Sequence, residues 1–412
     1  MNRVRELYHS MPPSEKRGLK AYLEAFHQKG ESKAIEFLKL LDQDPDITQE
    51  SSSQKLYHDP RSKAFIMMKG RLLERMIEFL TLSVNPESSK HHRDSPYHQN
   101  VIEFRRCMLF ASALQERQLP AMALEHLEKA RELAVRCNSP ELELDALIRL
   151  RALDRSGNDR FEELSIQIQR ALQQQECDIN AMGLLRKFLT LNGSEIGGND
   201  ERIAFLEAHL PGLEESIRQM YSPRADYFRQ MLRVHLCYLT RRFEDGRGHA
   251  RKVMQILVDH EGIRSPMRMA EGWVQLGRLE LQDQDYAAAM DALARAASYQ
   301  REASPARLTT SLLMLYCHIH LKDHSTAKGL VEQLKNGPSA KVMQQMPQNQ
   351  GIFTYLCACI QFELGDYKEA WRLIQECQDA GLNKDSWMTS IRIFEIMILV
   401  ERREHDLASN KL

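Results

Sequence analysis

Long apolar runs are missing from this 412-residue sequence. Uncharged apolar runs are short, as at Ile396–Val400, far below the ~20 residues that a membrane-crossing helix needs. A dominant charge is missing too. The 56 Lys and Arg stand against 57 Asp and Glu, which leaves no global field to draw the chain to nucleic acid or to an anionic membrane. Cysteine comes without any Cys-x-x-Cys pair. Cys107, Cys137, Cys177, Cys237, Cys317, Cys357, Cys359 and Cys377 all lie inside helical patterns, which suits reduced thiols rather than a disulfide framework. Residues Met1–Glu6 have no apolar run of the kind a secretory signal carries, so a cytoplasmic setting is expected. Motifs for catalysis are lacking as well: there is no phosphate loop, no Gly-x-Ser-x-Gly and no His-Glu-x-x-His. Gly193, Gly197 and Gly198 follow no strand pattern. Neither an enzyme nor a cofactor is expected.

What the chain does have is helix-forming composition. Aromatics make up 7% and prolines number only 14, while Leu, Ala, Glu, Gln and Arg abound. The fold class expected is all-α. Residues 1–85 read as an N-terminal helical bundle. Pro12, Pro13 and Ser14 mark a helix start with Ser14 as N-cap, followed by a stripe of Leu19, Tyr22, Leu23 and Phe26. A second helix carries Ile35 to Leu41, and a long third runs from Phe65 to Leu80. The polar segment Thr48–Asp59 has room for a further short helix. Arg61, Lys63, Lys69, Arg71 and Arg75 on the third helix invite a DNA-binding reading of residues 14–80. Against it, residues 1–85 hold 14 Lys and Arg to 12 Asp and Glu, and Glu74 and Glu78 interrupt the basic face. Residues 86–99 are polar and read as a linker. Its His91, His92 and His98 lack carboxylate or Cys partners at ligand spacing, so no metal is expected there.

From residue 100 to 382 a helix-turn-helix rhythm takes over. Trp273, Leu276 and Gly277 lie on one helix, Gln284-Asp285 make a turn, and Ala289 and Ala296 lie on the next. This resembles a tetratricopeptide (TPR) unit, with Glu280 where that motif has an aromatic and Leu293 where it usually has Phe. Gly365, Asp366, Tyr367, Ala370 and Trp371 resemble the TPR turn and second-helix start. The small or inward residues Ala123, Leu164, Ala204, Gly246, Ala289, Ala327 and Ala370 recur at about 41 residues, between ordinary TPRs and longer helical repeats. The expectation is a TPR-like α-solenoid of about seven helix pairs, including 140–156 with 159–176 and 179–192 with 199–219. A terminal helix at 385–403 within a capping segment, 383–412, should show a charged outer face of Arg392, Glu395, Arg402 and Arg403. The N-terminal stretch LYHSMPPSEKRGLKAYL, with the later KGRLLERMIEFL, resembles the head region of a group of bacterial TPR proteins with no assigned activity.

A solenoid of this kind works through its concave face. The resemblance to TPR register implies Met231, His235, Tyr238, Glu271, Gln275, Arg278, Gln282, Tyr316, His320, Tyr355, Phe362 and Glu363 as groove positions. Arg and Gln beside aromatics can clamp a peptide backbone and an acidic group. Cys317, His320 and His324 share a helical spacing that could ligate zinc, but the repeat register turns Cys317 and His324 to the core. The function expected is a non-enzymatic scaffold for a protein or peptide segment, with nucleic acid disfavoured. An alternative follows from the order of parts, bundle then linker then repeats, which is similar to that of the bacterial Rap family: a peptide-responsive regulator in which the repeats control the bundle. DNA binding through residues 14–80 is the other.

Overall fold

The computed structural model describes residues 2–25, 32–45, 47–83, 96–155, 157–191, 198–379 and 385–411, and among these no strand occurs. The chain divides into two compact units, Met1–Lys90 and His91–Leu412.

In the first unit the helices are α1 (Asn2–Ser10), α2 (Pro13–Ala25), α3 (Ser32–Gln43), α4 (Gln49–Tyr57) and α5 (Lys63–Ser83). Two differ from the sequence expectation. Residues 2–10 are helical, and α2 already begins at Pro13, so Ser14 lies in its first turn rather than at its cap. The segment after Asp44 does form a helix, α4, whose cap Thr48 accepts a hydrogen bond from the Ser51 N–H (3.2 Å). Apolar positions at helical spacing converge on one core. Tyr8, Leu19, Leu23, Phe37, Leu38, Leu41, Phe65, Leu72 and Met76 are buried in it, and the Phe37 and Phe65 rings meet edge to face at 5.3 Å. The Tyr8 hydroxyl and the Lys20 ammonium both donate to Asp42 (3.0 and 2.7 Å).

The second unit is a solenoid of helix hairpins. In order it contains α6 (Pro96–Glu116), α7 (Pro120–Arg136), α8 (Pro140–Leu153), α9 (Asn158–Leu191), α10 (Asn199–Gln219), α11 (Pro223–Leu239), α12 (Phe243–Asp259), a 3-10 turn at Glu261–Ile263 and α13 (Pro266–Gln282). Then follow α14 (Tyr286–Ser298), α15 (Pro305–His320), α16 (His324–Asn336), the short α17 (Ser339–Gln344), α18 (Pro347–Glu363), α19 (Tyr367–Asp379), α20 (Asp385–Glu401) and α21 (His405–Lys411). No described helix is long and apolar enough to cross a membrane.

Local chemistry repeats with the hairpins. Several first helices start at Ser-Pro, as at Pro140, Pro223, Pro266 and Pro305: Pro occupies the first turn, where its missing N–H costs nothing. Ser222, Ser265 and Ser304 accept from the N–H groups of Ala225, Arg268 and Arg307 (3.4, 3.3 and 3.2 Å). First helices end at a residue of positive φ, as at Arg241 (57°), Gln284 (61°), Lys322 (56°) and Gly365 (81°). The next N–H then reaches back five residues, for example Asp285 to the Glu280 carbonyl (3.0 Å) and Asp323 to that of His318 (2.9 Å). Asp285, Asp323 and Asp366 in turn cap the second helices.

Small residues set the spacing of neighbouring helices, within a hairpin and between hairpins. A Cβ on Gly277 would lie 2.9 Å from Leu293 Cγ, and one on Gly246 would lie 2.9 Å from Leu279 Cδ2. Ala123, Leu164, Ala289, Ala327 and Ala370 are buried as the repeat register requires. Ala204 is not. It is exposed, and Leu206, Leu210, Leu213 and Ile217 form the buried stripe of α10. Glu280, at the motif's aromatic position, is spent on Arg247 (3.5 Å), which also pairs with Asp283 and Glu244.

Two expected boundaries are overturned. The break between residues 176 and 179 does not exist, because α9 is one helix of 34 residues. Its buried face passes from Leu164, Ile168 and Ala171, packed with α7 and α8, to Ala181, Leu185 and Phe188, packed with α10 and α11. That is a rotation of roughly a quarter turn, so one helix serves two hairpins without a reversal. At the far end, the terminal helix stops at Glu401 and α21 follows. Its outer face is the expected charged cap only in part: Arg392 and Arg403 are exposed and Arg402 is half-buried. Glu395 is buried and accepts from Gln375 Nε2 (2.9 Å), while Ile393, Met397 and Val400 face outward.

Candidate functional site

First-helix inner faces do not form one open groove. Between α6 and α13 the inner side is closed by a buried polar cluster. Tyr97, at the start of α6, has its ring flanked by the guanidinium groups of Arg224 and Arg268 (6.0 and 5.9 Å). Arg268 also lies over Tyr227 (5.6 Å) and donates to the Ile263 carbonyl (2.6 Å). Tyr227 donates its hydroxyl proton to Glu271 (2.8 Å), and Ser222 donates to Asp178 (2.5 Å). Burial raises the Glu271 and Asp178 carboxyls above the usual range and lowers Arg268. The lock on this arrangement is the 3-10 turn. A Cβ on its Gly262 would sit 1.7 Å from the Arg136 carbonyl oxygen at the end of α7.

This closure removes several groove candidates from solvent. Met231 is fully buried in the cluster formed with Tyr227, Val253 and Ile263. Glu271 is held by Tyr227. His235 packs on Phe188 at 4.9 Å, and burial, with Arg278 and Arg202 nearby, pushes its imidazole down to about 4. Gln275 and Arg278 are half-buried.

Beyond this cluster the expected groove positions are more exposed. Gln282, at the end of α13, donates to the Tyr238 hydroxyl (3.3 Å), and both residues are exposed. Next along the chain Tyr286 stacks on His320, centroids 4.4 Å apart and planes 3° from parallel. Tyr316, 37% exposed, leans on the same His320 at 4.4 Å. Burial against its ring neighbours lowers the imidazole of His320 despite the nearby Glu363 carboxylate. The line of rings continues through half-buried Tyr355 and Phe362, which pack on Phe394 at 5.6 and 5.2 Å. Glu363 is exposed beside them. Tyr238, Gln282, Tyr316, His320, Tyr355, Phe362 and Glu363 are thus set out along successive first helices.

The sequence reading omitted Tyr286, because it opens a second helix and the register assigns only first helices to the inner face. A signal existed. Tyr follows the capping Asp at both Asp285-Tyr286 and Asp366-Tyr367, and each ring packs on a first-helix ring.

No described group of three or more His, Cys, Asp or Glu is placed to hold a metal ion. His91 and His92 lie outside the described residues. Of the Cys317, His320 and His324 trio, Cys317 is buried and His320 is stacked outward. Burial pushes the Cys317, Cys359 and Cys377 thiols up to about 12, which keeps them protonated and unreactive at neutral pH.

No family model matches the chain, and a search of curated proteins returns no match. Among solved structures it is similar to a signal transduction ATPase with numerous domains (STAND) protein with a tetratricopeptide repeat sensor, from Pyrococcus horikoshii. The TM-score is 0.44 and the identity 13%, over 98% of this chain and 64% of that one. It is also similar to the APC/C hetero-tetramer Cut9–Hcn1, with a TM-score of 0.40 and 12% identity over 99% of this chain and 87% of that one. The chain therefore spans just under two thirds of the length of the first of these.

Proposed function

We propose that the chain is a non-enzymatic scaffold that holds a peptide or protein segment along the open inner strip from Tyr238 to Glu363. The observation that carries this is the Tyr286–His320 stack with Tyr316 against it, half-exposed on the inner face. Flat rings fixed by mutual stacking lose little freedom when covered, and they offer area for proline, aliphatic or backbone contact. Gln282 and the Tyr238 hydroxyl add hydrogen-bonding groups at one end, and Glu363 adds a charge at the other.

The test is affinity capture from native lysate, comparing wild type with Tyr316→Ala/His320→Ala after circular dichroism confirms that the variant is folded. A partner retained by wild type should be lost or weakened at least tenfold by the variant, since removing a stacked aromatic pair costs ~2 kcal/mol or more of binding. Capture of the same set by both proteins would count against the strip.

A further inference from the structure

At the Tyr238 end of the strip a cavity of about 490 Å³ opens between four helix ends. It is lined by Asn199 and Arg202 at the start of α10, by Tyr238 and Arg241 at the end of α11, by Phe243 at the start of α12, and by Gln282. Among the described residues no acidic side chain lines it. Two guanidinium groups therefore face one space without a carboxylate.

Among the described residues no carboxylate pairs with either cation. Arg202 lies over the Phe188 ring at 5.0 Å, and its Nη1 donates only to the neutral amide oxygen of Asn199 (3.3 Å). Its Nε is buried with no hydrogen-bond partner, and a buried donor left so costs the desolvation of that group. Burial accordingly lowers the Arg202 pKa. Arg241 sits at the positive-φ position of its turn (57°), exposed, and no described acid pairs with it. From this turn Arg241 lines the cavity as its second guanidinium-bearing residue. Tyr238 can donate its hydroxyl proton inward while accepting from Gln282 (3.3 Å), because a phenol does both.

We propose that this cavity binds an oxyanion, a carboxylate or a phosphate, carried by the segment that lies along the strip. Two Arg forks, a phenol and side-chain amides are the donor set that planar or tetrahedral oxyanions take. The assignment of the anion to a bound segment rests on the scaffold reading above. The cavity's affinity for an anion does not.

Inorganic phosphate and propionate serve as the probes, each against sodium chloride of equal ionic strength, with thermal unfolding and calorimetry as readouts. At ~20 mM, one probe should raise the wild-type midpoint by about 2 °C or more over the chloride control. Which probe does so separates a phosphorylated segment from a carboxylate. Arg241→Gln, on an exposed side chain, should keep the wild-type midpoint in chloride and lose most of the probe's effect; Arg202→Gln should lose it entirely. No rise over chloride with either anion overturns the proposal, as does an equal rise in wild type and Arg241→Gln, which would mean an adventitious ion only. The Tyr316→Ala/His320→Ala variant keeps the cavity intact, so its anion response should match wild type. Failure of the strip and failure of the cavity are then read separately.

Discussion

Gly262→Ala is expected to destabilise the second unit by ~3 kcal/mol or more, the largest effect of any single methyl added to it. The added Cβ would lie 1.7 Å from the Arg136 carbonyl oxygen and 2.7 Å from Cys137 Cα. Both are backbone atoms, so no side chain can rotate away, and overpacking of that kind lies at or beyond the upper end of its usual ~1–3 kcal/mol. Relief requires lifting the Glu261–Ile263 turn from the end of α7. That move would take the Ile263 carbonyl from Arg268 and loosen the cations around Tyr97. Gly212→Ala and Gly329→Ala are the controls: a Cβ there meets nothing within 4 Å, and both sit inside helices, where Ala is favoured by up to ~1 kcal/mol. Thermal unfolding should give a fall of several degrees for Gly262→Ala and none for the controls. An unchanged midpoint for Gly262→Ala would mean that the turn does not seat on α7.

The second large effect is a pH dependence carried by His235. The unfolded chain protonates this residue near the ordinary value of 6.5, whereas the folded protein resists until about 4. Between those values the unfolded state binds more protons, so stability rises with pH across the window. The contribution is full above pH 6.5 and is lost as pH falls towards 4, amounting to ~3 kcal/mol at about 1.4 kcal/mol per pKa unit. Asp178 and Glu271 act oppositely. Burial raises both, so the folded state takes up their protons first and their effect favours folding as pH falls. The wild-type profile is therefore a composite, and the comparison that isolates His235 is with His235→Leu, an apolar side chain placed against Phe188. Urea unfolding at pH 7.5 and pH 4.5 should show the variant gaining on wild type at the lower pH by ~2–3 kcal/mol. A gap that does not move with pH would contradict the buried, neutral imidazole.

The hairpins were legible where local chemistry repeats. Gly277 against Leu293, Asp285 at its cap and Tyr367 after Asp366 are short-range features, so their spacing alone places the units. The unbroken α9 was less accessible, yet it leaves a trace. Ser-Pro pairs occur at 95–96, 139–140, 222–223, 265–266 and 304–305. The second and third lie 83 residues apart (222 − 139), about twice the other spacings, so one first helix lacks a start signal. A search for small inward residues supplied Ala204 in its place, and that residue is exposed. The inner face shows the same division. Register alone set Tyr238, Gln282, Tyr316 and His320 in line, because position within a first helix determines which way they point. The closing of the other half depends on Tyr97 meeting Arg224 and Arg268, and on a three-residue turn seated on Arg136. Such contacts span more than a hundred residues, and no periodicity encodes them.

The most direct test of the divided inner face is hydrogen exchange on the captured complex against the free protein. The account predicts protection concentrated at 282–286, 313–320 and 355–363, with 224–235 and 261–271 unchanged because they are already buried. Protection confined to residues 2–83, or spread over the closed half while the strip exchanges as before, would contradict it.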